Sequence, residues 1–227
     1  MMTTSALFKQ LSIATVETSL LTLAAVGVGQ AATIDTTLTW DGGGYFFCSD
    51  CYYGQVFTVP TSDNILDSFT FFISSLWDTN VYFKAQIAPW DGNTFQSGSA
   101  LYTSETVSNE GFPSYNATPS NYGTVTFTPP GGLPLIADNQ YVAYLSSEPG
   151  DGTGAIGHNY KDSYFGGYTL FGHPPDGWYS AGVTADYAFK ASFSAPESIP
   201  EPSLTIGMLT LGILGTGSLF NRKSKIS

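Results

Sequence analysis

The stretch NVYFKAQIAPW (80–90) puts Val81, Phe83, Ala85 and Ile87 on one parity and Tyr82, Lys84 and Gln86 on the other. A period of two is that of an extended strand with one face in a core and one in water; a helix would mix the two sets around its barrel. A second stretch, DYAFKASF (186–193), repeats the pattern, with Tyr187, Phe189, Ala191 and Phe193 against Asp186, Lys190 and Ser192. Shorter runs of the same kind recur at TTLTW (36–40), GQVFTVP (54–60), LDSFTFFIS (66–74), ALYTSETV (100–107), GTVTFTP (123–129), QYVAYLS (140–146) and GGYTLFG (166–172), punctuated by Asp-Gly, Gly-Gly, Pro-Gly and Pro-Pro. About nine short strands with turn chemistry between them predict an all-β fold, an antiparallel two-sheet sandwich of jelly-roll-like form. No long segment carries a helical period, so parallel α/β architectures and their nucleotide sites have no support. The alternation assigns Phe69, Phe71, Phe83, Phe189 and Phe193 inward. Continued one step past Pro89, it turns Trp90 outward, to a ring partly exposed at a sandwich edge.

Around this body, over residues 32–196, composition sets limits. The chain of 227 residues is 42% hydrophobic and 11% charged, with a formal charge of −11. Lys9, Arg222, Lys223 and Lys225 lie in the terminal segments, which leaves Lys84, Lys161 and Lys190 as the cations of the body. Phosphate backbones need Lys and Arg to displace their counterions, so nucleic acid and anionic membrane surfaces are excluded as partners of the body. Residues 1–31 place Lys9 before an uncharged apolar stretch, Leu20 to Val28, and then small residues through Gly29 and Ala31. This is the pattern of a secretory signal peptide cut after Ala31 or Ala32.

Residues 197–227 follow another logic. Pro200-Glu201-Pro202 cannot continue a strand or a helix and offers extended backbone to a protease. Leu204 to Phe220 is uncharged and, as a helix, about 25 Å long, enough to span a bilayer at the lower limit. Arg222 and Lys223 in the basic tail 221–227 would remain cytoplasmic, which puts the body outside. A Pro-Glu-Pro motif, a glycine-bearing transmembrane run and a basic tail in this order resemble the PEP-CTERM sorting signal of bacterial exported proteins. The resemblance implies recognition of Pro200, Glu201 and Pro202 by a membrane-embedded exosortase, which cleaves near the motif and passes the protein to the cell surface or the exopolysaccharide matrix, with Leu204 to Phe220 as the span and Arg222 and Lys223 as the stop. The order of strands in the body also resembles an uncharacterised jelly-roll domain found ahead of such tails, a likeness that implies fold and supplies no catalytic residue.

The chemical inventory of the body is thin. Cys48 and Cys51 are the only thiols. Outside the reducing cytosol, in a glycine- and tyrosine-rich loop with no helix to lower a thiol pKa, a local structural disulfide is expected rather than redox exchange, and zinc lacks further ligands nearby. His158 and His173 sit in the turn-like IGHNYK and LFGHPPDG and read as surface or edge residues, and no serine stands in a Gly-x-Ser-x-Gly elbow to use them. Asp78, Asp91, Asp151, Asp162 and Asp176 could supply a glycosidase pair, but one sequence does not choose the pair. Asp41, Asp91, Asp151 and Asp176 each precede glycine, which is turn chemistry; calcium is left open as a ligand, although no Asp-x-Asp-x-Asp loop is present. No catalytic residue, resident metal or other cofactor is assigned.

Aromatics make up 15% of the chain. Sugars stack their apolar C–H faces on flat rings, so Trp90 in APWDGN, with Trp178 and Tyr179 in PDGWYS, are the candidates for a polysaccharide contact. The expected function is that of an exported surface or matrix protein with a structural or adhesive body. A carbohydrate-binding module is the alternative, and a secreted glycan hydrolase the third reading.

Overall fold

The structure is a computed structural model and describes residues 31–76, 79–92, 99–149, 152–173, 177–182 and 185–197. The tail motif at 200–202, the predicted span 204–220 and nearly all of the predicted signal peptide lie outside them. Among the described residues fifteen strands run in order: β1 (Ala32–Asp35), β2 (Gly44–Phe47), β3 (Tyr52–Thr58), β4 (Ile65–Ser75), β5 (Tyr82–Pro89), β6 (Tyr102–Thr103), β7 (Val107–Ser108), β8 (Gly123–Phe127), β9 (Leu133–Pro134), β10 (Gln140–Ser147), β11 (Gly154–Asn159), β12 (Thr169–His173), β13 (Gly177–Gly182), β14 (Asp186–Tyr187) and β15 (Phe189–Ser194). They form two antiparallel sheets. No helix among the described residues is long and apolar enough to cross a membrane.

The first sheet is organised by β4, its longest strand. One edge of β4 pairs with β15 along its first part and with β11 along its second; the opposite edge pairs with β9 and then β8. β1 lies on the far side of β15, and β2 and β14 pair with β11. Leu66 and Phe69 are three residues apart yet both buried, which strict alternation forbids. A register slip opposite Ser192 and Phe193 takes up the extra residue, as a β-bulge does. The second sheet runs β13-β12-β3-β10-β5-β6, with β7 also on β5.

The inner faces meet in one core. Phe69, Phe71, Ile73, Phe189 and Phe193 from the first sheet pack in the same cluster as Tyr53, Phe57, Phe83, Ile87 and Leu145 from the second. Rings bridge the sheets directly, Phe57 lying 6.1 Å from Phe189 and Phe47 5.5 Å from Phe83, centroid to centroid. The molecule is therefore an all-β sandwich, and the five phenylalanines assigned inward by alternation are all buried in this core.

Several elements differ from the sequence reading. The strand expected at 36–40 lies earlier, at β1: Asp35 Oδ1 accepts from the Thr37 N–H at 2.8 Å, and the Trp40 N–H closes a turn on the Thr37 carbonyl, so the chain bends there. The single strand expected at 100–107 is split into β6 and β7, because Ser104 turns its Oγ to the Ala85 N–H at 2.9 Å. Strands β2, β11 and β13 lie in segments that read as loops. In β11 the glycines serve close packing: a Cβ on Gly157 would meet the Trp40 ring at 2.7 Å and Ala188 at 2.8 Å.

Candidate binding face on the second sheet

On the outer face of the first sheet Thr33, Asp35, Ser68, Thr70, Lys190 and Ser192 line a shallow depression of about 360 Å³, with Lys190 Nζ 2.9 Å from Asp35. This part of the face is wet; further along it, over β11, Trp40, Leu76, Tyr122, Ala155 and Ala188 form a buried apolar cluster flanked by Phe72 and Tyr115. On the second sheet outward residues of β12, β3, β10 and β5, with Trp90 just after β5, build a second apolar cluster of Val56, Ala88, Trp90, Val142, Tyr144 and Leu170, flanked by Tyr52, Tyr168 and Trp178.

Trp90 occupies the outward parity as the alternation requires, but the expectation of an exposed ring is corrected: it is only 8% exposed. Chain from the other side of the sheet covers it. Tyr168, just before β12, accepts a hydrogen bond on its hydroxyl from Trp90 Nε1 at 2.8 Å, and the apolar cluster closes around the indole. Burial with the N–H satisfied is the ordinary way to place a tryptophan in a core. Beside it, Trp90, Asp91, Ile136, Asp138 and Asn139 contribute to an open groove of about 460 Å³.

Trp178 is half-buried and sits differently. It lies opposite Gly172 in the ladder, and Gly172 in turn lies opposite Tyr52. A Cβ built on Gly172 would come within 3.1 Å of the indole, and one on Gly54 within 3.2 Å of its far edge. The benzene ring therefore rests across two strands in the space that these glycines leave. Tyr52 is tilted beside it at 5.5 Å and Tyr144 stands edge-on at 5.5 Å. Tyr144 donates to Gln86 Oε1 at 2.7 Å, and burial holds its phenol far above the ordinary value. Polar groups continue across β10 and β5, with Ser146 opposite Lys84, and Lys84 3.5 Å from Glu148. Tyr179 pairs through its backbone with Phe171; its side chain is outside the described atoms. Tyr52, Tyr144 and Gln86 were not singled out from the sequence, although Tyr144 could have been found, since in QYVAYLS it has the parity opposite to Tyr141, Ala143 and Leu145.

The remaining candidates fall elsewhere. Cys48 and Cys51 are joined by a disulfide, with Cα atoms 5.8 Å apart. Ser147 Oγ accepts from the Cys51 N–H at 2.9 Å and donates to the Cys48 carbonyl at 2.8 Å, which ties this loop to the end of β10. His173 is exposed at the end of β12, as a surface residue. His158 is not at the surface: it is 3% exposed, ringed by Tyr45, Tyr160 and Tyr187, and neither nitrogen has a hydrogen-bond partner among the described residues. The reason is that Ile156 to Asn159 form no turn but the later part of the buried strand β11, and the chain turns only after it. Burial lowers the His158 pKa from 6.5 to about 4.

Among the described carboxylates Asp186 stands out, fully buried, its pKa raised by burial against hydrogen bonds from Ser163, Gln55 and Tyr164. It accepts from Gln55 Nε2 at 2.9 Å, from the Ser163 N–H at 2.9 Å and from the Tyr164 N–H at 3.0 Å, so it straps the 160–168 loop to β3 and β14. Its oxygens face donors of the protein itself. No group of three or more His, Cys, Asp or Glu among the described residues is placed to hold a metal. Asp78, Asp151 and Asp176, like Glu201, Arg222 and Lys223 and the two prolines of the tail motif, lie outside the described residues.

No protein-family model matches this chain, and a search of curated proteins finds no match.

Proposed function

We propose that this is an exported protein, sorted by a PEP-CTERM signal at 197–227 through an exosortase-type enzyme, whose jelly-roll-like body has a structural or adhesive role at the cell surface or in the exopolysaccharide matrix. The observation that carries the adhesive reading is the outer face of the second sheet, where the half-buried rings of Tyr52 and Trp178 lie among amide, hydroxyl and charged groups. Such a surface can hold a hydrated polymer by many weak contacts. The tail sequence would supply the delivery: a Pro-Glu-Pro motif at 200–202 for processing, an uncharged apolar run, and a basic stop.

A carbohydrate-binding module is the second reading, favoured by Trp178. An indole resting across Gly172 and Gly54 is held in place by the backbone beneath it, and a supported flat ring suits the apolar face of a sugar. A hydrolase has less support, because Asp186, the described carboxylate with a raised pKa, is sealed by its own strap.

The test uses the full chain in a host that carries an exosortase. Intact mass of the surface-delivered form should show loss of the 204–220 segment, and replacing Pro200, Glu201 and Pro202 by alanine should hold the protein in the membrane. A surface form that retains the whole apolar segment refutes the sorting reading. Co-sedimentation of the delivered body with purified exopolysaccharide tests adhesion, and no retention at any polymer concentration refutes it.

A further inference from the structure

We propose that the export leader is removed at the Ala31–Ala32 bond and that the ammonium group formed on Ala32 is captured by Asp63. The inference rests on the export reading and goes beyond it by fixing the processing point and giving the new terminus a partner. In the structure the Ala32 N–H donates to Asp63 Oδ2 at 3.0 Å, across thirty-one positions of sequence. Asp63 belongs to the loop between β3 and β4, so nothing in local chain geometry brings the two together.

Ala32 is also where the fold begins. It forms the first pair of β1, opposite Phe193, and packs partly buried against the main core, whereas Ala31 is exposed and unpaired in the ladder. A cut one residue later would delete that pair, remove Ala32 from the core and take away the donor that Asp63 receives. The sequence before the bond agrees. Leader peptidases accept small residues at the first and third positions before the cut. A cut after Ala31 places Ala31 and Gly29 there, whereas a cut after Ala32 would place Gln30 at the third.

The chemistry balances with water as the co-reactant. Water oxygen adds to the Ala31 carbonyl carbon, the C–N bond breaks, Ala31 leaves as a carboxylate, and the Ala32 nitrogen takes up the protons. A free α-amino group has an ordinary pKa of about 7.7 to 8.0 and is mostly an ammonium at neutral pH. The hydrogen bond from a neutral amide to the Asp63 carboxylate thereby becomes one between an ammonium and a carboxylate, with charge on both partners. Processing and folding are coupled at a single residue.

N-terminal sequencing of the exported full-length product tests the bond: it should begin Ala32-Thr33-Ile34-Asp35. A start at Thr33 or at any other position inside the chain overturns this inference and leaves export standing, whereas a chain still beginning at Met1 overturns both. The capture is tested separately by amine acylation at pH 7, resolved by peptide and referenced to Lys161. A carboxylate at hydrogen-bond distance should raise the amine pKa by about 0.5 to 1, so the wild-type terminus should acylate about three- to tenfold more slowly than that of Asp63→Asn. Equal rates overturn the capture.

Discussion

Lowering the pH from 7 to 4 should destabilise the sandwich through His158, by an amount that the structure sets. In the fold the imidazole is buried among Tyr45, Tyr160 and Tyr187, and its pKa is lowered from 6.5 to about 4 by loss of hydration. In the unfolded chain it titrates near its ordinary value. Between those two values the unfolded state binds a proton that the folded state refuses, so unfolding becomes more favourable as the pH falls. At about 1.4 kcal/mol per pH unit the span from 6.5 to about 4 is worth on the order of 3 kcal/mol, fully expressed by about pH 4. For a body of this size that corresponds to roughly 6 to 12 °C in Tm. Two carboxylates titrate nearby in pH. Burial would raise Asp35, but the Thr37 hydroxyl and Lys190 outweigh it and hold it below the ordinary value, so its contribution is lost only under more acidic conditions. Asp186, raised by burial, acts in the opposite sense, since its protonation on acidification favours the fold. Both are retained in a His158→Phe or His158→Leu variant, and the difference from wild type isolates the histidine. Calorimetric Tm of wild type and both variants between pH 7 and pH 4 is the assay. Neither variant should show the histidine-dependent fall, whatever its stability at pH 7, because the readout is the slope. Parallel slopes for wild type and variants would refute the account of a histidine kept neutral by burial.

Three further outcomes are expected. Trp90→Ala should cost roughly 3 to 5 kcal/mol in chemical denaturation, because it empties a core site and deprives Tyr168 of a donor; a loss below about 1 kcal/mol would contradict the burial described. Trp178→Ala should cost far less stability, within about 1 to 2 kcal/mol, while weakening retention on exopolysaccharide about tenfold; unchanged retention removes the supporting ring from the carbohydrate reading. Quantitative thiol labelling of the exported, unfolded but unreduced protein should find no free Cys48 or Cys51, and reduction should lower stability by about 1 to 2 kcal/mol, since a loop so short restricts little unfolded-chain entropy. A larger loss would mean that the bridge also holds the Ser147 contacts in place.

What was legible in the sequence follows from which physical signal each segment carries. Strands with one buried and one wet face, such as β5 and β15, print that difference as a period of two, and their inward residues could be named in advance. β10 is buried on both faces, with Tyr141, Ala143 and Leu145 on the main core and Val142 and Tyr144 on the second cluster, so its alternation carries little contrast. β11 was lost altogether: its glycines look like turn signals, whereas Gly154 and Gly157 are there because neighbours leave no room for a Cβ. The direction of Trp90 was legible, since direction is a property of the strand. Its exposure was not, because the covering Tyr168 arrives from a segment 78 positions away. The same limit hid the platform. Trp178 gains its seat from Gly54 and Gly172, and only the register of β3, β12 and β13 brings the three together.

The place of β15 between β1 and β4 also bears on how the body carries load. A protein tethered by its C-terminal tail receives tension at Ser194, the last residue of this strand. Ladder hydrogen bonds run across the strand on both sides, to Ala32 through Asp35 on one and to β4 on the other. A pull along the strand axis therefore loads the two ladders together, in shear, and the strand must slide as a unit past both neighbours before any part of it comes free. A strand attached at a sheet edge and pulled from its end would instead peel one pair at a time at much lower force. Should the body be held through the residues that follow Ser194, as the proposed sorting would have it, an interior strand resists the load where an edge strand would yield.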